Sequence, residues 1–84
     1  MLPIQTVLNR IRWDKEYARA TFVLGYYDRL SGSIRLIPLH HVFQEPGDRF
    51  FIRIVDEEGQ LLKVPLHRIK EVYRDGKLIW NRER

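Results

Sequence analysis

Cysteine is absent from this 84-residue chain, so neither a disulfide nor a thiolate-held metal can staple the fold. The same absence suits an intracellular protein, and a cytoplasmic one is expected. Missing too is any apolar run approaching the roughly 20 residues that span a bilayer. Met1-Leu2-Pro3 leads straight into an amphipathic segment with no cleavable leader, so the expectation is a soluble, unprocessed chain without a membrane partner. A chain of this size buries only about 60% of its unfolded surface. One compact core, and one domain over residues 1–84, is what it can support.

Other absences narrow the chemistry. No Gly-rich loop of phosphate-binding spacing occurs, and no Ser or Cys sits in a nucleophile elbow. The histidines lack the spacing with glutamate that marks a zinc helix. A repeated His-x-Ser/Thr, the mark of two-histidine phosphoesterases, is missing: His40 is followed by His41-Val42 and His67 by Arg68-Ile69. No metal, cofactor or catalytic residue is assigned. Lysine is scarce, confined to Lys15, Lys63, Lys70 and Lys77, so arginine carries most of the formal +4 charge. Arginine's planar fork grips phosphate oxygens two at a time. Mild basicity with Tyr, Phe and Trp fits a nucleic-acid partner, although charge-rich proteins without one share this composition.

What the chain does hold is organised around Lys63 to Arg82. Val64-Pro65 ends an extended segment, because Pro65 lacks the N–H a central strand needs. Leu66-His67-Arg68-Ile69 makes a short crossing. Asp75-Gly76 then joins the β-formers Val72-Tyr73 and Leu78-Ile79-Trp80, a strong hairpin signal because a type I′ turn needs positive φ at both central residues. Upstream, Ile4, Val7, Leu8 and Ile11 share one helical face. Pro3 is expected at the first helical position, and Trp13 is expected to fold over the core edge where the helix ends. Arg19 to Arg29 reads as a long strand with Ala20, Phe22, Leu24 and Tyr26 on its apolar face. Gly25, on the other face, marks a bulge or a close approach. Further strands run over Ser33–Pro38, through Phe50, Ile52 and Ile54, and over Leu61–Val64. The fold class is α+β: an N-terminal helix packed on a bent antiparallel sheet, or small partial barrel, of five to six strands.

One internal echo stands out. Ile37-Pro38-Leu39-His40-His41-Val42 resembles Val64-Pro65-Leu66-His67-Arg68-Ile69, 27 positions later. Two copies are too few for a solenoid; a strand that ends at proline and pins a short turn explains the likeness well, and the repeated Pro-Leu-His also motivates a histidine-based reading.

Chemistry-bearing residues gather at strand ends. Tyr27-Asp28-Arg29 closes the first long strand, His67-Arg68 lies in the crossing, and Trp80 and Arg82 end the last strand. Guanidinium groups grip phosphate, His67 can donate to it, Tyr27 can stack a base, and Asp28 can orient Arg29 or Arg68 or accept from a ribose hydroxyl. Leu8-x-x-Ile11-x-Trp13-Asp14, Tyr27-Asp28-Arg29, the Pro65-to-Ile69 crossing, Asp75-Gly76 and Ile79-Trp80-x-Arg82 together resemble one family. It is the small archaeal domain, formerly of unknown function, described as an RNA cyclic-group-end-recognition domain. The resemblance runs from about Val7 to Arg82, while Leu39 to Arg49 carries none of its motifs.

That resemblance implies binding of RNA 3′ ends bearing a 2′,3′-cyclic phosphate, within RNA processing or repair and beside protein partners of those processes. It implies a site of Tyr27, Asp28, Arg29, His67, Arg68, Trp80 and Arg82, with Arg29 and Arg68 clamping the phosphate. Two other readings stay open. One is a phosphodiesterase or ribonuclease using two of His40, His41 and His67 as acid and base, which requires the two crossings to converge. The other is an interaction scaffold that pairs through an exposed sheet edge.

Overall fold

The computed structural model describes residues 2–82. Among them are one helix, α1 (Ile4–Trp13), and strands β1 (Phe22–Asp28), β2 (Ser33–Pro38), β3 (Val42–Phe43), β4 (Phe51–Val55), β5 (Leu61–Pro65), β6 (Ile69–Arg74) and β7 (Lys77–Asn81). The strands form a four-stranded sheet, ordered β2-β1-β6-β7, and a three-stranded sheet, ordered β3-β4-β5. The α+β class with its N-terminal helix is therefore as the sequence leads one to expect. The antiparallel strands divide between two open sheets, and the two-residue β3 is the strand that the pattern leaves unmarked. No helix among the described residues is long and apolar enough to cross a membrane.

Helix α1 buries Ile4, Val7 and Leu8, with Ile11 packed beside them. Pro3 is its N-cap in extended conformation (φ −63°, ψ 147°), one position earlier than expected. Trp13 does not fold over the core; it is 78% exposed. The reason is periodicity: it lies nine residues past Ile4, about two and a half turns on, and so opposite the apolar stripe. Strand β1 begins at Phe22 because residues Tyr17–Arg19 form a 3₁₀ turn. Phe22, Leu24 and Tyr26 are buried as the alternation requires.

Asp75 and Gly76 adopt φ of +50° and +81°, the positive pair that a type I′ hairpin demands. The Asp75 carboxylate also accepts the Thr21 N–H at 2.9 Å, tying the hairpin tip to the start of β1. Gly25 combines both expected roles. The β1–β6 register shifts between Gly25 and Tyr26, and a Cβ at this position would lie 2.8 Å from the Glu71 carboxylate.

The internal echo is a pair of crossings between the sheets. Pro38 and Pro65 both take φ −61°, with ψ of 141° and 139°. Each leads a one-turn 3₁₀ segment, Leu39–His41 or Leu66–Arg68, that carries the chain into the other sheet. In each, the next strand's first N–H (Val42 or Ile69) donates back to the turn's leucine carbonyl. Proline fixes φ and ends the strand without a wasted donor. Leu66 N–H then donates to Phe50 O at 2.8 Å. Helix and both sheets share one core, whose fully enclosed centre is Leu24, Ile52, Ile54, Ile69 and Val72.

Candidate nucleic-acid interface

Antiparallel pairing brings separate strand ends to one end of the four-stranded sheet. Tyr26 stands opposite Ile69, Tyr27 opposite Ile34, and Glu71 opposite Asn81. The close of β1, the crossing before β6 and the close of β7 are therefore neighbours. Arg82 is pinned there by its own backbone, whose N–H donates to Lys70 O at 2.8 Å. Its guanidinium donates to His67 O at 3.1 Å and lies 5.3 Å from the Trp80 ring.

Beside Arg82 opens a cleft of about 460 Å³ between the two sheets, lined by Arg49, Phe50, Phe51, Pro65, Leu66, His67 and Arg82. Phe50 is 73% exposed at its rim, and Lys63 Nζ lies 4.3 Å from the Phe51 ring. Four other arginines, Arg10, Arg19, Arg35 and Arg53, pair with carboxylates. Arg49 and Arg82 pair with none among the described residues. Both line the cleft, and Phe50 offers a flat apolar face beside them. On the other side of Arg82 is a smaller cleft of about 260 Å³, lined by Ile34, Lys70, Glu71, Asn81 and Arg82. Tyr73, next along that face, has its phenol pushed above the ordinary value, first by burial and then by the hydrogen bond it donates to Glu71.

The loop that presents Arg49 and Phe50 is built by Asp48. Its carboxylate accepts the N–H groups of Phe50 and Phe51 at 3.0 and 3.1 Å. The Phe50 bond, assisted by the Phe51 bond and by Lys63 and Arg53, holds the carboxyl below its usual range despite partial desolvation. Gln44 adds a tether, donating to Gln5 of α1 at 2.8 Å and to Asp48 O at 2.9 Å. A lowered carboxyl in the folded state stabilises the fold above the unfolded value of about 3.9 and loses that contribution as pH falls through the folded one. Urea midpoints are expected to be level at neutral pH and to drop below about pH 4. Asp48→Asn should flatten part of that drop.

The residues singled out from sequence are dispersed over this end. His67 and Arg82 line the larger cleft. Tyr27, 38% exposed, stands beside Ile34 of the smaller one. Arg29 is exposed in the β1–β2 turn and Arg68 half-buried in the crossing. Asp28 orients neither of them. It accepts the Leu30 N–H at 3.0 Å and pairs with Arg35 at 3.3 Å, and its carboxyl is lowered chiefly by the Leu30 bond. Trp80 offers no stacking face: it is 6% exposed in the core, and its indole N–H donates to Leu2 O at 2.6 Å. Arg49, Phe50, Glu71 and Asn81 escape sequence reading. The one available signal was an Arg-Phe pair following the Pro46-Gly47 turn.

The histidines do not converge on one cleft. Pro38 pairs with Val23 and Ile69 with Tyr26, so the two crossings join β1 about 10 Å apart along its length. His40 lines a cleft with Ile11, Ala18, Thr21 and Phe22, away from His67. His41 sits edge-on to His40 at 4.5 Å and contacts Val55 O at 3.3 Å through Nδ1. A joint acid–base role for His40 and His67 has no geometric basis. No group of three or more metal-ligating side chains occurs among the described residues.

Fold and cleft define a small α+β module with an arginine- and aromatic-lined mouth at the end of a sheet. The chain belongs to the family of the MJ1316 RNA cyclic group end recognition domain, whose family model matches residues 1–82. No solved structure matches it.

Proposed function

We propose that this domain binds RNA 3′ ends carrying a 2′,3′-cyclic phosphate, as a non-catalytic module of RNA processing or repair. The observation that carries the reading is the cleft lined by Arg49 and Arg82, neither paired with a carboxylate among the described residues, together with His67 and the exposed ring of Phe50. The family's description supports it. The terminal phosphate sits between the two guanidinium groups, His67 donates to one of its oxygens, and the last base lies on Phe50. Arg29 and Arg68 add positive potential from the turn and the crossing, Tyr27 lies along the path of the incoming strand, and Asp28 acts through Arg35. Trp80 contributes by supporting Arg82 from beneath.

Titration of short RNAs of one sequence tests this. The cyclic-phosphate end is expected to bind at least about tenfold tighter than a plain hydroxyl end, the factor for one charge-assisted hydrogen bond gained. Because a pocket rather than a groove does the binding, the salt slope should correspond to about one to three phosphates. A slope of six or more, or equal affinity for both ends, would reduce the domain to a general backbone binder. Cleavage of the bound RNA on a gel would reopen a catalytic role for the histidines.

A further inference from the structure

The smaller cleft holds a carboxylate where a polyanion-binding surface has an electrostatic reason to avoid one. Glu71 is half-buried beside the Tyr73 hydroxyl, which occupies part of its accepting capacity. It has no cation at ion-pair distance among the described residues, although Lys70 and Arg82 line the same cleft. Its side chain lies across Gly25. A Cβ there would meet Glu71 Oε1 at 2.8 Å, Glu71 Cβ at 3.2 Å and Ile34 Cγ2 at 3.1 Å. The missing side chain at residue 25 is thus what lets the carboxylate rest on the sheet face. Asn81 stands opposite Glu71 in the ladder, and Arg82 forms a common wall with the phosphate cleft.

We infer that Glu71 and Asn81 form a second subsite that accepts the ribose 2′-hydroxyl of the penultimate nucleotide, making the domain selective for RNA over DNA. This rests on the RNA-end reading above. The chemistry picks out the penultimate residue: a 2′,3′-cyclic phosphate consumes the terminal 2′-oxygen, so the nearest free ribose hydroxyl is one nucleotide back. Because Arg82 lines both clefts, a strand that leaves the phosphate cleft over Arg82 enters this one. An ionised carboxylate only accepts hydrogen bonds, and a ribose hydroxyl is the nearest donor that a sugar–phosphate chain can bring to it. Asn81 can donate to the same hydroxyl oxygen, and Lys70 is placed for the intervening phosphodiester. DNA would bring phosphates to the Glu71 carboxylate with no ribose hydroxyl to donate to its remaining lone pairs.

The test uses cyclic-phosphate-ended RNA, with a single 2′-deoxy substitution at the penultimate nucleotide or, as control, three nucleotides further back. The penultimate substitution should cost the wild-type protein about tenfold or more in affinity, as expected for one hydrogen bond to a charged acceptor. The distal one should cost little. Glu71→Leu should bind the all-ribose ligand as weakly as wild type binds the deoxy one, and should no longer distinguish the two. Glu71→Gln, which keeps an acceptor, should retain part of the discrimination. If wild type separates cyclic from hydroxyl ends but ignores the penultimate deoxy change, the subsite is overturned and the end-binding reading stands. If it separates neither, both fall. The ligand comparison in wild type decides the matter even where a Glu71 variant does not fold.

Discussion

Replacing Arg49 and Arg82 together by alanine is expected to lower affinity for cyclic-phosphate-ended RNA by about two orders of magnitude or more. Each guanidinium contributes charge-assisted hydrogen bonds worth about 1.5–3 kcal/mol. The hydroxyl-ended RNA should lose far less, so the gap between the two ligands should close. Arg49→Ala alone is the cleaner variant: the side chain is exposed and carries no ion pair among the described residues, and such surface changes leave stability within about 0.5 kcal/mol. Arg82→Lys keeps the charge but loses the fork that reaches both His67 O and the ligand, and should recover little. Paired titrations and urea unfolding of the same samples check this. Wild-type affinity in the double variant would move the phosphate site away from the cleft, toward Arg29 and Arg68.

Trp80→Ala is expected to destabilise the domain by about 3–5 kcal/mol, the range for removing a large buried aromatic. Against a total of about 5–15 kcal/mol for a typical domain, that leaves a marginal or unfolded chain. Trp80→Phe keeps most of the packing and removes the bond to Leu2 O, a loss of about 1 kcal/mol. Urea unfolding separates the two variants. RNA affinity should follow foldedness: Trp80→Phe is expected to bind nearly as well as wild type. A stable Trp80→Phe that had lost RNA binding would restore the stacking role that its burial argues against.

Features governed by neighbours in the chain were legible in advance. Asp75-Gly76 declares its turn because the φ requirement is local, and the stripe of α1 and the alternation of β1 follow from period alone. The same arithmetic, carried nine residues on from Ile4, would have turned Trp13 outward. Harder to read were features governed by distant contacts. Phe50 stands just before β4 and Trp80 within β7, and tertiary contacts, not local pattern, bury Trp80 and leave Phe50 exposed. Arg49 takes its place from Asp48 bonds and a Gln44–Gln5 tether spanning a stretch with no periodicity. Asp28 adjoins Arg29 in sequence, yet the hairpin register brings Arg35 to it instead. Glu71 gains meaning only from Gly25, a residue 46 positions earlier on the adjoining strand.

The proline-led crossing at Pro65 sets how the larger cleft is held in shape. One wall belongs to the strand before the crossing and the loop paired with it, the other to the segment after. The Leu66 N–H to Phe50 O bond spans the junction like a clasp. That bond extends the β4–β5 pairing one residue past Phe51 and Pro65, so the backbone that carries Phe50 is fixed to the crossing that carries His67. A mouth whose backbone is fixed in this way meets its ligand already shaped, with little ordering left to be done on binding.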